Sequence, residues 1–428
     1  MIKTDKIYNT TNVYDAAIER LTFLFNNFDN ICFSFSGGKD SSVTVQLGAK
    51  VARKLKKKFS VMYLDLEAMF EETTKHVHDV KESIKDVCSN FYWVCLPIVE
   101  ENSLSSLNPE FITWDESAKD VWVRNMPEGA INLDNNPFPF YENLMSFEDF
   151  VADYSKWFSS KSKGVSAIVV GIRTDESLRR FLAIISEGKA TFQDKKWTTK
   201  TIEKLYSVYP IYDWKVKDIW GAVAKDDLLY NKVYDYMWKN GVPLSRQRIC
   251  QPFGNAQKAG IDQFKSIEPN TWEKLLKRVT GVNFGAIYCR TSLLGTIKSM
   301  KPKHMTWEQY AVFLLESIGM YEPLIMQRYY RKIKYYLKWE EKNHNYPYGV
   351  VPEEPPEKGH GSWKNIARGI EKNDFFLTHM SFGIDTAGDE LLIELRKKHK
   401  LLGEGRIQPK IAKKIESLQQ EINEDETE

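Results

Sequence analysis

A chain of 428 residues is too long for one small core and predicts two domains with room for a small tail module. Hydrophobic residues at 42% and aromatics at 13% are enough to build packed interiors, which excludes a disordered chain. The 60 basic and 58 acidic residues leave a net charge of +2, so overall charge announces no nucleic-acid partner. No apolar run reaches the roughly 18 residues of a membrane span, and the N-terminus carries no signal-peptide pattern. Five cysteines (Cys32, Cys88, Cys95, Cys250, Cys289) form no CxxC pair, and Cys32 and Cys95 sit in apolar runs as small core residues. His76 and His78, two apart, would point in different directions on a helix, so zinc is not expected, and without paired cysteines neither is an Fe–S cluster. The expectation is a cytoplasmic protein with reduced thiols and no membrane partner.

Ile18, Leu21, Phe25 and Phe28 recur at helical spacing and predict an amphipathic helix over 13–28. The apolar run 31–35 reads as a buried strand, followed by a helix from Asp40 to Lys57, a strand over 59–66 and a helix over 71–88. A third strand, 91–96, is stopped by Pro97. Strands alternating with helices at this spacing imply an α/β fold, a parallel sheet with helices on both faces. Such sheets bind ligands at the carboxyl ends of their strands. Residues 99–148, with Trp114, Trp122 and Arg124, break the rhythm and read as an irregular insertion.

The alternation resumes with a strand over 166–170 ending at Gly171, and Thr174 is a candidate N-cap for a helix over 175–187. Residues 188–200 read as polar loop, 205–208 as a last strand before Pro210, and 214–224 as a helix. Beyond Gly241 the strand signal fades, and 255–340 reads as largely helical. Pro352–Pro356 reads as a linker or hinge before a charged, helix-prone end. The expected organisation is an α/β domain over 1–245 with the insertion at 99–148, a mainly helical region over 246–345, and a linker with a charged module over 346–428. Of the local basic clusters, 54–58 reads as a solvated helix end. Arg328 to Lys334 has interleaved tyrosines, which leaves an RNA or DNA groove open beside the preferred reading of helix packing.

The strongest chemical signal is Ser36-Gly37-Gly38-Lys39-Asp40-Ser41-Ser42, directly after the first strand. Two glycines let the backbone approach an oxyanion, and amides at a helix start point at it. Lys39, expected on a solvent-facing turn, adds positive charge, and Ser36, Ser41 and Ser42 add hydroxyls. The spacing is not that of a Walker loop. It resembles the PP-loop of the ATP pyrophosphatases and phosphoadenosine-phosphosulfate (PAPS) reductases. A second segment, Gly171-Ile172-Arg173-Thr174-Asp175-Glu176-Ser177-Leu178-Arg179-Arg180, closely resembles the Gly-Ile-Arg-x-x-Glu-Ser-x-x-Arg stretch of the PAPS reductases. Guanidiniums there can grip phosphate or sulfate, and Glu176 can hold Arg179 or Arg180 at i+3 or i+4.

Asp65, ending the second strand before Phe70-Glu71-Glu72-Thr73, is a candidate for a ribose hydroxyl or Mg²⁺. Pro210 to Trp214 resembles the segment that closes the same domain in these enzymes, and Trp122, Arg124, Arg246 and Arg248 are candidate substrate contacts. The resemblance covers residues 25–255 and implies an adenine nucleotide alpha hydrolase-like (HUP) fold. Trp122 to Pro127 and the helical C-terminal half are similar to a branch of co-regulators called immunoglobulin-binding regulators, and this resemblance implies a ParB-like partner.

The reductases of the family attack a sulfonucleotide with a cysteine in a C-terminal Glu-Cys-Gly-like segment, and no cysteine follows Cys289 here. The reading is therefore an enzyme that binds ATP and Mg²⁺ and cleaves between the α- and β-phosphates, adenylylating an acceptor and releasing pyrophosphate. Lys39, Arg173, Arg179 and Arg180 are the expected catalytic cations, and Ser36 to Ser42, Asp65, Gly171 and Glu176 the expected nucleotide contacts. The alternatives are a PAPS reductase and a non-catalytic nucleotide sensor acting with the ParB-like partner.

Overall fold

Alternate residues of β1 (Asn30–Phe35) face two different helical layers, and this fixes the architecture around it. Phe33 packs on Phe25 of α1 (Val13–Asn27) with ring centroids 6.5 Å apart, and Phe35 meets His76 of α3 (Glu71–Ser83) at 6.2 Å. Cys32, one residue out of phase, puts its Sγ 3.4 Å from the Tyr154 Oη of α4 (Phe147–Ser160) on the opposite face. The chain is seen in a computed structural model that describes residues 10–105, 108, 110–185, 188–254, 260–288, 301–302, 304–320, 323–344, 351–355 and 361–371.

The sheet has six strands in the order β3-β2-β1-β6-β8-β7, with β2 (Phe59–Leu64), β3 (Cys88–Val94), β6 (Ser166–Val170), β7 (Thr198–Ile202) and β8 (Leu205–Val208). β1 pairs parallel with β2 on one side and with β6 on the other. The connections therefore run in opposite directions from β1, and the ends of β1 and β6 open a crevice at a topological switch point. β2, buried at every position, pairs parallel with β3, and β8 parallel with β6. α2 (Lys39–Leu55) packs on α1 and on α6 (Val216–Asp226).

Several expected boundaries move. α3 stops at Ser83 and β3 begins at Cys88, inside the stretch read as helix. The segment read as polar loop contains most of β7, which pairs antiparallel with β8, with a register shift between Lys200 and Ile202. Thr174 is not an N-cap. Its amide and hydroxyl both donate to the Tyr212 carbonyl, at 2.8 and 2.9 Å, and α5 (Leu178–Ile185) begins four residues later. The Pro210–Trp214 segment is a packing element: Arg20 of α1 grips the Asp213 carboxylate in bidentate fashion at 2.8 and 2.7 Å, and Trp214 is buried.

The chain divides into two compact units, one of Met1–Ile98, Thr113–Tyr141 and Ser146–Gln251, the other of Val99–Ile112, Glu142–Met145 and Pro252–Glu428. In the second unit, β4 (Val99–Glu101) and β5 (Glu110–Ile112) form an antiparallel ribbon. Arg278, at the end of α9 (Pro269–Arg278), lies over the Phe111 ring at 4.5 Å and donates to the Ile112 carbonyl at 2.6 Å. A separate core joins α11 (Trp307–Gly319), α12 (Pro323–His344) and α13 (Trp363–Glu371) through Leu315, Ile325, Tyr329, Ile333, Tyr336, Ile366 and Ile370. Val351 to Pro355 is tied to this bundle, Pro352 accepting from the Trp363 amide at 3.0 Å and Glu354 pairing with Lys364 at 2.9 Å. No described helix is long and apolar enough to cross a membrane.

Gly171, where β6 ends, lies against the first turn of α2. A Cβ there would stand 2.8 Å from the Thr44 Oγ1 and 3.0 Å from the Asp40 carbonyl oxygen. Backbone cannot retreat as a flexible side-chain tip would. Gly171→Ala is therefore expected to destabilise the fold by about 1–3 kcal/mol. Urea unfolding at constant m-value checks this, and Gly188→Ala, with open space around its Cβ, reports the cost of φ > 0 alone.

Candidate nucleotide site

Between β1 and α2 the chain turns through Gly37, whose φ of +71° favours glycine, and a Cβ there would come within 3.0 Å of Thr73 Cγ2. Gly38 is the N-cap of α2. The turn is braced from within: Ser36 Oγ and Ser41 Oγ are 3.0 Å apart, and Ser42 Oγ donates to the Gly38 carbonyl at 2.8 Å. It is also braced from outside, because the Asn231 side-chain amide donates to the Gly37 carbonyl (3.2 Å) and to Thr73 Oγ1 (2.9 Å). The Tyr234 hydroxyl accepts from the Lys39 amide at 3.0 Å. The next amides of this first turn have no acceptor within the helix, as at any helix start.

Lys39 is not on a solvent-facing turn. It is 3% exposed, with its Nζ 3.0 Å from Asp40 Oδ2, donating to the Gln247 carbonyl at 3.2 Å and 5.4 Å from the Tyr234 ring centroid. Burial lowers its pKa below the ordinary lysine value, Asp40 opposes that, and Arg173 and Arg248 add to the lowering. Arg173, also 3% exposed, reaches from the end of β6 and donates from Nε to Asp40 Oδ1 at 2.5 Å. One of its terminal nitrogens, Nη1, is buried without a hydrogen-bond partner, 3.6 Å from the Asp175 carboxylate. Glu176 pairs with Arg180, as the i+4 spacing predicts, and its backbone carbonyl accepts from Arg248 at 3.0 Å. Burial and then Arg248 lower the Arg180 pKa.

Lys39, Arg173, Arg180 and Arg248 thus converge on the start of α2, with Asp40, Asp175 and Glu176 as the acidic partners of this group. The Arg179 side chain lies outside the described residues. Arg246 is exposed on the 3-10 turn Leu244–Arg246 and takes no part in these ion pairs.

Asp65 requires correction. Asp65 has no exposed surface: it pairs with Arg124, accepts from the Trp93 indole at 2.8 Å and from the Glu67 amide at 3.1 Å. Glu67, equally buried, accepts from the amides of Trp114 (2.7 Å) and Val123 (3.2 Å). The two carboxylates after β2 turn inward and anchor the segment from Trp114 to Arg124. Trp122 packs edge-on against Trp114 at 5.2 Å, and Arg124 lies 5.0 Å from the Trp114 ring centroid. These are structural contacts, and they leave Asp65 with no free oxygen for a ribose or Mg²⁺. Both oxygens of Asp40 are likewise engaged, so neither aspartate fits a resident metal ion.

Sequence reasoning missed His76, Asn231 and Tyr234. No local signal marked them: His76 stands in the polar run Thr73-Thr74-Lys75-His76, and Asn231 and Tyr234 meet the turn from about 195 positions away along the chain. The His76 Nε2 lies 2.7 Å from Ser42 Oγ, and burial, with a smaller contribution from Lys232, lowers its pKa to about 4. Cys32 and Cys88 are pushed up to about 12 and about 11 by burial, which keeps them as thiols.

Comparison with known proteins agrees with this architecture. The family model described as "Phosphoadenosine phosphosulfate reductase domain" matches residues 30–267, more than half of the chain, and a domain of unknown function, DUF3440, matches residues 241–354. The chain belongs to the phosphoadenosine phosphosulfate reductase domain family, a nucleotide-binding family of the PP-loop type. It is similar to the "Uncharacterized protein YbdN" of Escherichia coli (strain K12), 39% identical over 389 residues that cover 88% of this chain and 92% of that protein. With the adenosine 5'-phosphosulfate reductase of Bacillus pumilus (strain SAFR-032) it shares 21% identity over 229 residues, 53% of this chain and 78% of the relative.

Two outcomes follow from these contacts. Arg124→Met leaves the buried Asp65 carboxylate without its counter-charge and is expected to cost about 3–5 kcal/mol in urea unfolding, part of it recovered by adding Asp65→Asn. His76 binds its proton less readily folded than unfolded, so its contribution to stability is present above its ordinary value of 6.5 and is lost as pH falls towards 4. The loss should approach roughly 3 kcal/mol. It should disappear from the wild-type pH profile in His76→Gln, and an unchanged profile would contradict the assignment.

Proposed function

We propose that this protein binds ATP with its β- and γ-phosphates on the first turn of α2 and catalyses attack of an acceptor on the α-phosphorus, forming an adenylylated product and pyrophosphate. The observation that carries this reading is the convergence of Lys39, Arg173, Arg180 and Arg248 on the Ser36–Ser42 turn, with a buried Arg173 nitrogen among them that makes no hydrogen bond. A polyphosphate would take its place against the α2 amides and share Lys39 and Arg173 with Asp40. As the P–O bond to the β-phosphate breaks, negative charge grows on the departing pyrophosphate, where these cations are already held in place. No side chain need form a covalent bond. Magnesium enters this reading as part of the substrate, MgATP.

The reading takes the protein as cytoplasmic, in keeping with the free thiols at Cys32, Cys88, Cys95 and Cys250. A thiolate reaction at Cys32, Cys88 or Cys95 is disfavoured because burial raises the pKa of each.

Incubation with ATP labelled at the α- or the γ-phosphate tests the reading. AMP or an adenylylated acceptor, together with pyrophosphate, is expected, whereas ADP and phosphate would overturn it. Tight binding without turnover would assign the chain as a nucleotide sensor, with a ParB-like protein as its candidate partner. Turnover of PAPS with a thiol donor would assign it as a reductase. Arg173→Lys keeps the charge but loses the planar fork and should lower turnover about tenfold or more, while Cys250→Ser should stay within a few-fold of wild type.

A further inference from the structure

Helix α12 divides its basic-aromatic sequence between two faces. Ile325, Arg328, Tyr329, Lys332, Ile333, Tyr336 and Glu340 are buried. From residue 327 to 339 the exposed positions are Gln327, Arg331, Lys334, Tyr335, Lys338 and Trp339, and no acidic side chain is among them. Two acids follow: Glu340 is 1% exposed, turned into the bundle, and accepts from the Gly361 amide at 3.1 Å, and Glu341, whose side chain lies outside the described residues, comes at the end of the stretch.

At 3.6 residues per turn, Lys334, Lys338 and Arg331 fall within about 60° of one another around the helix, and Tyr335 and Trp339 occupy the adjoining roughly 40°. The face is therefore two parallel rows, one cationic and one aromatic. The cations span about 10 Å along the axis, and the two rings are one turn, about 6 Å, apart. Tyr335 is 54% and Trp339 44% exposed. Trp339 stacks on the buried Tyr336 ring at 6.5 Å, and its exposed part adjoins Tyr335 beside the charges.

We propose that this face of α12 binds single-stranded nucleic acid, its phosphates along Arg331, Lys334 and Lys338 and successive bases stacked on Tyr335 and Trp339. The charge complementarity fits any polyanion, but the adjoining row of rings fits bases, since every base offers a flat face and an acidic peptide does not. Exposed phosphate-binding cations and aromatic platforms are the two parts such a surface needs. The proposal does not depend on the reading of the α2 site.

Fluorescence anisotropy of the full chain with labelled 12-nucleotide RNA and DNA single strands, their duplexes and poly-glutamate tests it. Binding of a single strand is expected, tighter than the duplex, with a logarithmic salt slope of about −2 for three phosphate contacts. Whichever of RNA and DNA binds more tightly identifies the natural strand. Lys334→Glu with Lys338→Glu should weaken binding at least tenfold and flatten the salt slope. Tyr335→Ala with Trp339→Ala should weaken it at least fivefold at an unchanged slope, and Tyr335→Phe with Trp339→Phe should restore it. All these positions are exposed, and a thermal melt unchanged from wild type confirms the fold. No single-strand binding, or binding that the aromatic pair does not affect, would overturn the proposal. Equal affinity for poly-glutamate, insensitive to the aromatic pair, would assign the face to an acidic protein instead.

Discussion

Asp40 is the residue through which the phosphate-loop crevice holds together. It sits in the first turn of α2, where the helix dipole favours a carboxylate, and one of its oxygens meets Lys39 while the other meets Arg173. Both cations are almost fully buried, and two buried positive charges this near each other would be costly without a shared counter-charge. The same ion pairs join the first turn of α2 to the end of β6, the two edges of the crevice. Gly171 allows the approach and Asp40 gives it an electrostatic reason. On the proposed reading, an incoming phosphate would compete with this carboxylate for cations that are already placed.

A second set of inward charges follows another logic. Asp65 and Glu67 follow β2 at the carboxyl ends of the strands, where a ligand-binding acid would stand, yet they serve the backbone amides and rings of the segment from Trp114 to Arg124. An irregular excursion of this kind carries amides that no helix or sheet ladder satisfies, and buried carboxylates are strong acceptors for them. Burying Asp65 therefore supports the shape of the unit and removes the residue from chemistry.

What was legible in the sequence was local. The apolar run of β1, the two glycines and the serines of the turn lie within a dozen residues, so strand, loop and helix could be read together, and Glu176 takes Arg180, one of the two arginines that spacing offered it. The Arg124–Asp65 pair, 59 residues apart, and the Tyr234 hydroxyl on the Lys39 amide, 195 apart, have no local signature. β7 was hidden for a different reason: Thr198 to Ile202 is polar and largely exposed, and only its pairing with β8 makes it a strand. Lys39 was misplaced because charge suggested solvent, whereas its partners come from Asp40 and from the far end of the unit.

That polar last strand also bears on how the protein behaves in a crowded solution. A sheet edge with unpaired amides is a template for another chain, and flat apolar edges nucleate aggregates. Here one edge is β7, whose lysine-bearing, largely exposed strand is broken in register between Lys200 and Ile202. At the other edge, the end of β3 is covered by Ile131, which exchanges hydrogen bonds with Trp93 and Cys95 at 2.7 Å, while its start presents exposed Ser89 and Asn90. The sheet is built to stay single, and a substitution that made 198–202 smooth and apolar would invite edge-to-edge association without disturbing a single buried contact of the crevice.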